Sequence, residues 1–203
     1  MKKCIFILLA IFTINFVFAQ EQPEDVKQNA SSDLQRFAIK TNFLYDMTGT
    51  VNLGVEFGLS YNLSLDVSGN INQWKYSTDS QLKHILIQPE LRYWLKERFN
   101  GHFFGVHLHY ANFNIGGIEV GLFHLKGIRY DGNLFGGGLS YGYRMVVSKN
   151  VHIEATAGLG YANLAYNVYY KKTGIKSGPG YESRNWFGPT KIGLNFIYVF
   201  NHK

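Results

Sequence analysis

The 203-residue chain holds 22 glycines, 16% aromatic residues, four prolines and one cysteine, with a formal charge of +6 at pH 7. That length suits a single domain, and the composition is too rich in aromatics for a disordered chain. Basic residues are scattered among acidic ones, which argues against a nucleic-acid partner, and one cysteine excludes a disulfide framework.

Met1-Lys2-Lys3 is a basic start, Cys4 to Phe18 is almost wholly apolar, and Val17-Phe18-Ala19 ends on a small residue. This is the pattern of a secretory signal peptide over residues 1–19, too short for a membrane helix, and Cys4 leaves with it. Loss of Lys2 and Lys3 lowers the formal charge by two, from +6 to +4. Residues 20–35 are polar and aperiodic, and we expect a flexible periplasmic leader there. A β-barrel is expected over residues 36–203.

Eight segments of alternating character follow: Arg36–Tyr45, Thr50–Tyr61, Leu63–Ile71, His84–Trp94, Phe103–Tyr110, Leu134–Arg144, Val151–Tyr161 and Thr190–Phe200. Alternation places successive side chains on opposite faces of a strand. Most segments have the length of a tilted strand crossing a bilayer, and no apolar run after the signal is long enough for a spanning helix. No helix is expected. Pro89 interrupts the fourth segment, and because proline donates nothing to a ladder, a bulge is expected there.

The two registers differ in kind. One is apolar throughout, from Phe37, Val51, Leu65 and Ile87 to Leu108, Leu139, Leu159 and Phe196, and contains no Asp, Glu, Lys or Arg. The other holds glycines together with Lys40, Glu56, Asp66, Glu90, Arg92, Arg144, Glu154 and Lys191. An eight-stranded barrel is just wide enough inside for side chains to fill it, so the large apolar set belongs outside. The expected fold is therefore all-β, an eight-stranded antiparallel up-and-down transmembrane barrel with its apolar face on lipid. A secreted β-sandwich is the alternative, but its strands are shorter and do not align tyrosines at both ends.

Connections are short at one end (Tyr61-Asn62-Leu63, Leu95 to His102, Val147-Ser148-Lys149), and at the other end one is short (Asp46 to Gly49) and three are long (Asn72 to Lys83, Ala111 to Asn133, Ala162 to Pro189). This asymmetry is that of an outer-membrane barrel of a Gram-negative bacterium. In the last segment, "KIGLNFIYVF", Lys191, Gly193, Phe196 and Tyr198 resemble the assembly signal of last strands, which implies recognition by the barrel-assembly machinery.

The eight lumenal charges balance, and we expect them to form one paired network closing the lumen. A three-residue turn at Val147-Ser148-Lys149 would set Gly142 opposite Glu154, with Arg144 diagonal to it. His107 and His109, spaced i and i+2 on the lumenal face, fit a metal pair on spacing alone. Imidazoles hydrogen-bonded in a polar lumen are the preferred reading, so no metal and no cofactor is assigned. No histidine has a serine two residues away, and the outward register lacks a Ser–His pair, so no catalytic residue is assigned. The stretch from Ala162 to Pro189 combines Tyr169, Tyr170 and Tyr181 with Lys171 and Lys172, candidate contacts for lipopolysaccharide, glycan or a partner protein.

"KTNFLYDMTGTVNLGVEFGLS", "IQPELRYWLKERFNGHFFGVHLHY", "LSYGYRMVVSKNVHIEATAGLGYA" and "NWFGPTKIGLNFIYVF", together most of the chain from Lys40 to Phe200, resemble the DUF3575 family of uncharacterised outer-membrane barrels from Bacteroidota-type bacteria. The resemblance implies an exported barrel without an assigned activity. It also implies company with fimbria-type surface proteins, and it supplies no catalytic residues. The expected function is a non-enzymatic structural or surface-interaction barrel, in contact with outer-membrane lipid and lipopolysaccharide and with a surface or fimbrial protein as partner. A lipid A-modifying enzyme and a small pore are the alternatives.

Overall fold

The computed structural model describes residues 37–75, 81–117, 119–120, 123–124, 128–170 and 176–200. The signal peptide and leader expected over residues 1–35 lie outside the described residues. Strands β1 (Phe37–Asn42), β2 (Val51–Gly58), β3 (Leu63–Lys75), β4 (Gln81–Trp94), β5 (Gly101–Gly116), β8 (Ile128–Val146), β9 (Val151–Tyr170) and β10 (Lys176–Phe200) close into a barrel. Neighbours in the ring are antiparallel and consecutive, and β1 seals it against β10 over Phe37↔Phe200 to Asn42↔Asn195. A short hairpin, β6 (Glu119–Val120) with β7 (Phe123–His124), stands apart from the ring.

The apolar register faces outward. Val51, Leu53, Ile87, Phe104, Val106, Leu108, Leu139, Leu159, Ile192 and Phe196 are all exposed, while Glu56, Asp66, Glu90, Arg92, Arg144 and Glu154 are buried inside. On four adjacent strands an outward aromatic is followed two residues further from the short turns by asparagine: Tyr110 and Asn112, Phe135 and Asn133, Tyr161 and Asn163, Phe187 and Asn185. The asparagines bond to one another and to the tyrosines below them. Asn112 donates to Asn133 Oδ1 at 2.8 Å, Asn163 to Asn185 Oδ1 at 2.8 Å, and the Tyr161 hydroxyl to Asn185 Oδ1 at 2.8 Å.

Four expectations need correction. Phe43–Asp46 is not strand but a one-turn helix, α1, because Asn42 in extended conformation accepts from the Leu44 amide at 3.1 Å and caps it. The long connections are largely strand: β8 and β9 stay paired up to Ile128↔Tyr170, and β9 with β10 up to Tyr169↔Lys176. Over their upper parts, as from Asn163 to Tyr169 on β9, every residue is half-buried, so the contrast between faces that reveals a strand is missing there.

Pro89 makes no bulge. Gln88 and Pro89 skip pairing with β5, and the ladder resumes at Glu90↔His107 in unchanged register, while Pro89 still faces Val67 on β3. A bulge is found instead on β10 next to Pro189, where Pro189 faces Leu159 and Lys191 faces Gly158, leaving Thr190 as the extra residue. Finally, the β8–β9 connection spans Val147 to Asn150, so Arg144 lies directly opposite Glu154 and Gly142 opposite Thr156. Asn150 belongs to the turn because its side chain donates to the Val199 carbonyl on β10 at 2.8 Å.

Candidate functional site

Strand alternation aims the side chains at Lys40, Glu56, Asp66, Glu90, Arg92, Arg144, Glu154 and Lys191 at a common centre, and all eight meet there. Arg92 is the hub. Its guanidinium lies 2.5 Å from Glu90, 3.1 Å from Asp66, 3.1 Å from Glu154 and 3.2 Å from Glu56. Arg144 donates from Nε to Glu154 Oε2 at 2.9 Å and from Nη2 to both Glu154 and Glu56. Lys40 reaches Asp66 at 2.8 Å, and Lys191 reaches Glu90 at 2.9 Å. Four acids thus meet four bases with no net charge, the condition under which buried ions are tolerable.

Neutral groups donate to three of the four carboxylates as well. Ser64 donates to Glu56 at 2.6 Å, Thr156 to Glu154 at 3.1 Å and Asn195 to Glu154 at 2.9 Å, and Ser140 donates to Glu90. These residues carry no charge, so charge pattern alone does not mark them as members of the network.

Below the network, toward the short turns, lies an aromatic and aliphatic floor: Ala38, Trp94, Phe99, Phe103, Ile197 and Val199, all buried and in one cluster. Arg92 rests 4.4 Å from the Phe103 ring centroid, and Arg144 lies 4.8 Å from that of Trp94 and 5.3 Å from that of Phe99. Trp94 Nε1 donates to Ser64 Oγ at 2.8 Å, joining floor to network. Phe99 comes from the β4–β5 turn and reaches this place with φ of 69°, a left-handed backbone that a phenylalanine rarely adopts. The floor has a sequence signal: Trp94 follows Arg92 by two, and in "NFIYVF" both registers are apolar, so one of them must lie inside.

Above the network, His107 Nε2 pairs with the Thr190 hydroxyl at 2.9 Å, and Gln88 donates to the Thr190 carbonyl at 3.2 Å. The bulge makes this possible, because it turns Thr190 and Lys191 inward in succession. The ring of His109 lies 5.8 Å from that of His107 and against the backbone of Gly136, where a Cβ would come 2.6 Å from His109 Nε2. Close approach, and not backbone freedom, explains that glycine. A cavity of about 20 Å³ lies between Lys40, Asp66, Ser68, Gln88, Lys191 and Asn195, room for a water molecule or so.

Of the other residues singled out in the sequence, Gly193 points inward with Lys191, while Phe196 and Tyr198 are exposed outside and face Thr41 and Ile39 of β1. Their strand is the one that closes the ring. Tyr169 stacks under Arg129, 5.5 Å from ring centroid to guanidinium, and Tyr181 is exposed. Tyr170 faces Ile128 on β8, and Lys171 and Lys172 lie outside the described residues.

The model of DUF3575, a protein family of unknown function, matches residues 6–200. The chain belongs to the DUF3575 family. No curated protein matches it. This DUF3575 chain therefore shows the family's sequence on an all-β, eight-stranded up-and-down ring with charged side chains buried in its interior.

Proposed function

We propose that this chain is an outer-membrane β-barrel of a Gram-negative bacterium, non-enzymatic and closed, which holds a tall β-wall at the cell surface for structural or interaction purposes. The observation that carries this reading is the outer face: an uncharged apolar belt that ends at Tyr110, Phe135, Tyr161 and Phe187, with asparagine immediately above each. In water such a belt is an aggregation surface. Against lipid it is solvated, and the step from aromatic ring to amide within two residues matches the step from hydrocarbon to headgroup. On β9 the belt runs from Val151 to Tyr161, ten residue steps; at about 3.4 Å per residue and about 40° of tilt this gives about 25 Å of height, that of the apolar band of known barrels.

The short turns then face the periplasm, and the arms of β5, β8, β9 and β10 rise outside. A barrel tied shut from within is an anchor. The lumenal acids and bases are engaged with one another, and His107, which shares a hydrogen bond with the Thr190 hydroxyl at 2.9 Å, is buried in the lumen. We also propose lipopolysaccharide and a surface protein as the partners outside.

Two measurements test this. Cell fractionation should recover the chain with the outer membrane in a form that changes gel mobility on heating; recovery as a soluble periplasmic protein overturns the reading. Planar-bilayer recording of the purified barrel should show no steady conductance, and reproducible single-channel currents would replace the anchor with a pore.

A further inference from the structure

The ring is closed at its base and open at one seam above. β1 covers β10 only from Asn195 to Phe200. Just above, Asn42 stands in for a strand: its side chain donates to the Ile192 carbonyl at 3.1 Å and accepts from the Leu194 amide at 3.2 Å. Across the seam, β2 leaves β3 uncovered beyond Val51↔Ile71, but there too the edge is blunted, with the Trp74 amide donating to Asn72 Oδ1 at 3.0 Å and the Trp74 indole to the Gly49 carbonyl. From Tyr181 to Phe187, β10 has no such cover among the described residues, and every residue there is exposed.

The bonds to Asn42 fix which backbone groups point into the seam. Below the bulge they are those of even-numbered residues, because Ile192 and Leu194 face Asn42. Thr190 is one extra residue, so above it the alternation shifts, and Glu182, Arg184 and Trp186 bond to β9 while Ser183, Asn185 and Phe187 turn their amides and carbonyls to the open side. Pro189, on the same side, ends the row, having no amide to offer.

From this edge we infer that β10 is a docking site for an extended strand of another polypeptide. A row of alternating backbone donors and acceptors is matched by another backbone in the same conformation. The flanking side chains define the visitor: an acidic residue beside Arg184, a basic one beside Glu182 and an apolar one beside Trp186. A second copy of this chain does not fit. Two barrels in one membrane are related by an axis along its normal, which leaves both β10 strands running the same way and crossing at about twice their ~40° tilt. That exclusion rests on the membrane reading; the strand site itself does not.

Residue-resolved amide exchange by NMR on the purified barrel in micelles tests it. The free protein should protect the amides of Glu182, Arg184 and Trp186 and leave those of Ser183, Asn185 and Phe187 open. A synthetic strand-forming peptide with the three matching side chains should slow exchange at the open set by about tenfold or more. The same peptide N-methylated at its edge-bonding amides should have no effect. Ser183→Pro, which removes an open-side donor, should weaken the peptide by about tenfold while the heat-dependent gel shift is kept; Arg184→Pro should unravel the arm instead. Uniform protection of residues 182–187 in the free protein, or equal action of the methylated peptide, overturns the inference. Outer-membrane location is read separately by fractionation, so failure of one leaves the other standing.

Discussion

Arg144 and Glu154 face each other directly across β8 and β9, with Nε and Oε2 2.9 Å apart and both side chains fully buried. Such a pair contributes little net stability when intact and costs much when broken, because the survivor keeps its charge without its partner. Arg144→Ala should therefore destabilise the barrel by about 3–5 kcal/mol, measured by urea unfolding in lipid or detergent. Glu154 still meets Arg92 in that variant, so the loss belongs at the lower end. Adding Glu154→Ala should restore part of it, and strict additivity of the two losses would deny the coupling.

Phe99 gives an unusual ordering of variants. Its ring completes the floor beneath Arg144, but its backbone sits at φ 69°. Phe99→Ala loses the ring and keeps the strain, and should cost about 3–5 kcal/mol. Phe99→Gly loses the same ring and releases about 1–2 kcal/mol of strain. The glycine variant should thus unfold at higher denaturant than the alanine variant, the reverse of their order in an ordinary strand. Equal midpoints would mean that the left-handed turn carries no strain.

The sequence was legible wherever the two faces of a strand differ. From Val51 to Val67 apolar and small or charged residues alternate, and both strands there lie where alternation puts them. The eight network charges were legible for the same reason: each occupies the register opposite an uncharged one. The arm above Asn163 was not, because apolar and polar residues mix on both of its faces and all are half-buried. The floor is less legible because Trp94, Phe103, Ile197 and Val199 are apolar in a register that elsewhere carries the charges. The shift of Arg144 onto Glu154 turns on Asn150 reaching Val199, a long-range bond that no local pattern announces.

Glycines inside and outside the barrel should respond oppositely. At Gly158, a Cβ would meet His107 Cε1 at 3.0 Å, the Leu139 carbonyl at 3.0 Å and Lys191 Cβ at 3.1 Å, whereas at Gly69 nothing lies within 4 Å. Gly158→Ala crowds a packed layer with backbone on one side and should cost about 1–3 kcal/mol. Gly69→Ala should be neutral or stabilise by a few tenths up to about 1 kcal/mol by removing unfolded-state freedom. Refolding yield and urea midpoint of the two variants check this; a destabilised Gly69→Ala would contradict the open space outside that residue.

Leu139 separates a membrane barrel from a soluble one. It lies midway along the outward register of β8, between Phe135 and Tyr143, and is 68% exposed, so the protein itself gives it few contacts to lose. If water bathed that face, Leu139→Arg would be a surface exchange, worth no more than about 0.5 kcal/mol and favourable to solubility. If the bilayer midplane does, the arginine must be held there at a cost of about 2–4 kcal/mol. Placing arginine instead at Asn163, above the aromatic belt and already polar, should cost about 0–1 kcal/mol, since the penalty falls away at the interface. Both variants are compared in lipid vesicles by urea titration, with wild type alongside. Depth dependence of this kind has no counterpart in a water-exposed sheet, and equal, small effects at Leu139 and Asn163 would remove the outer face from the membrane.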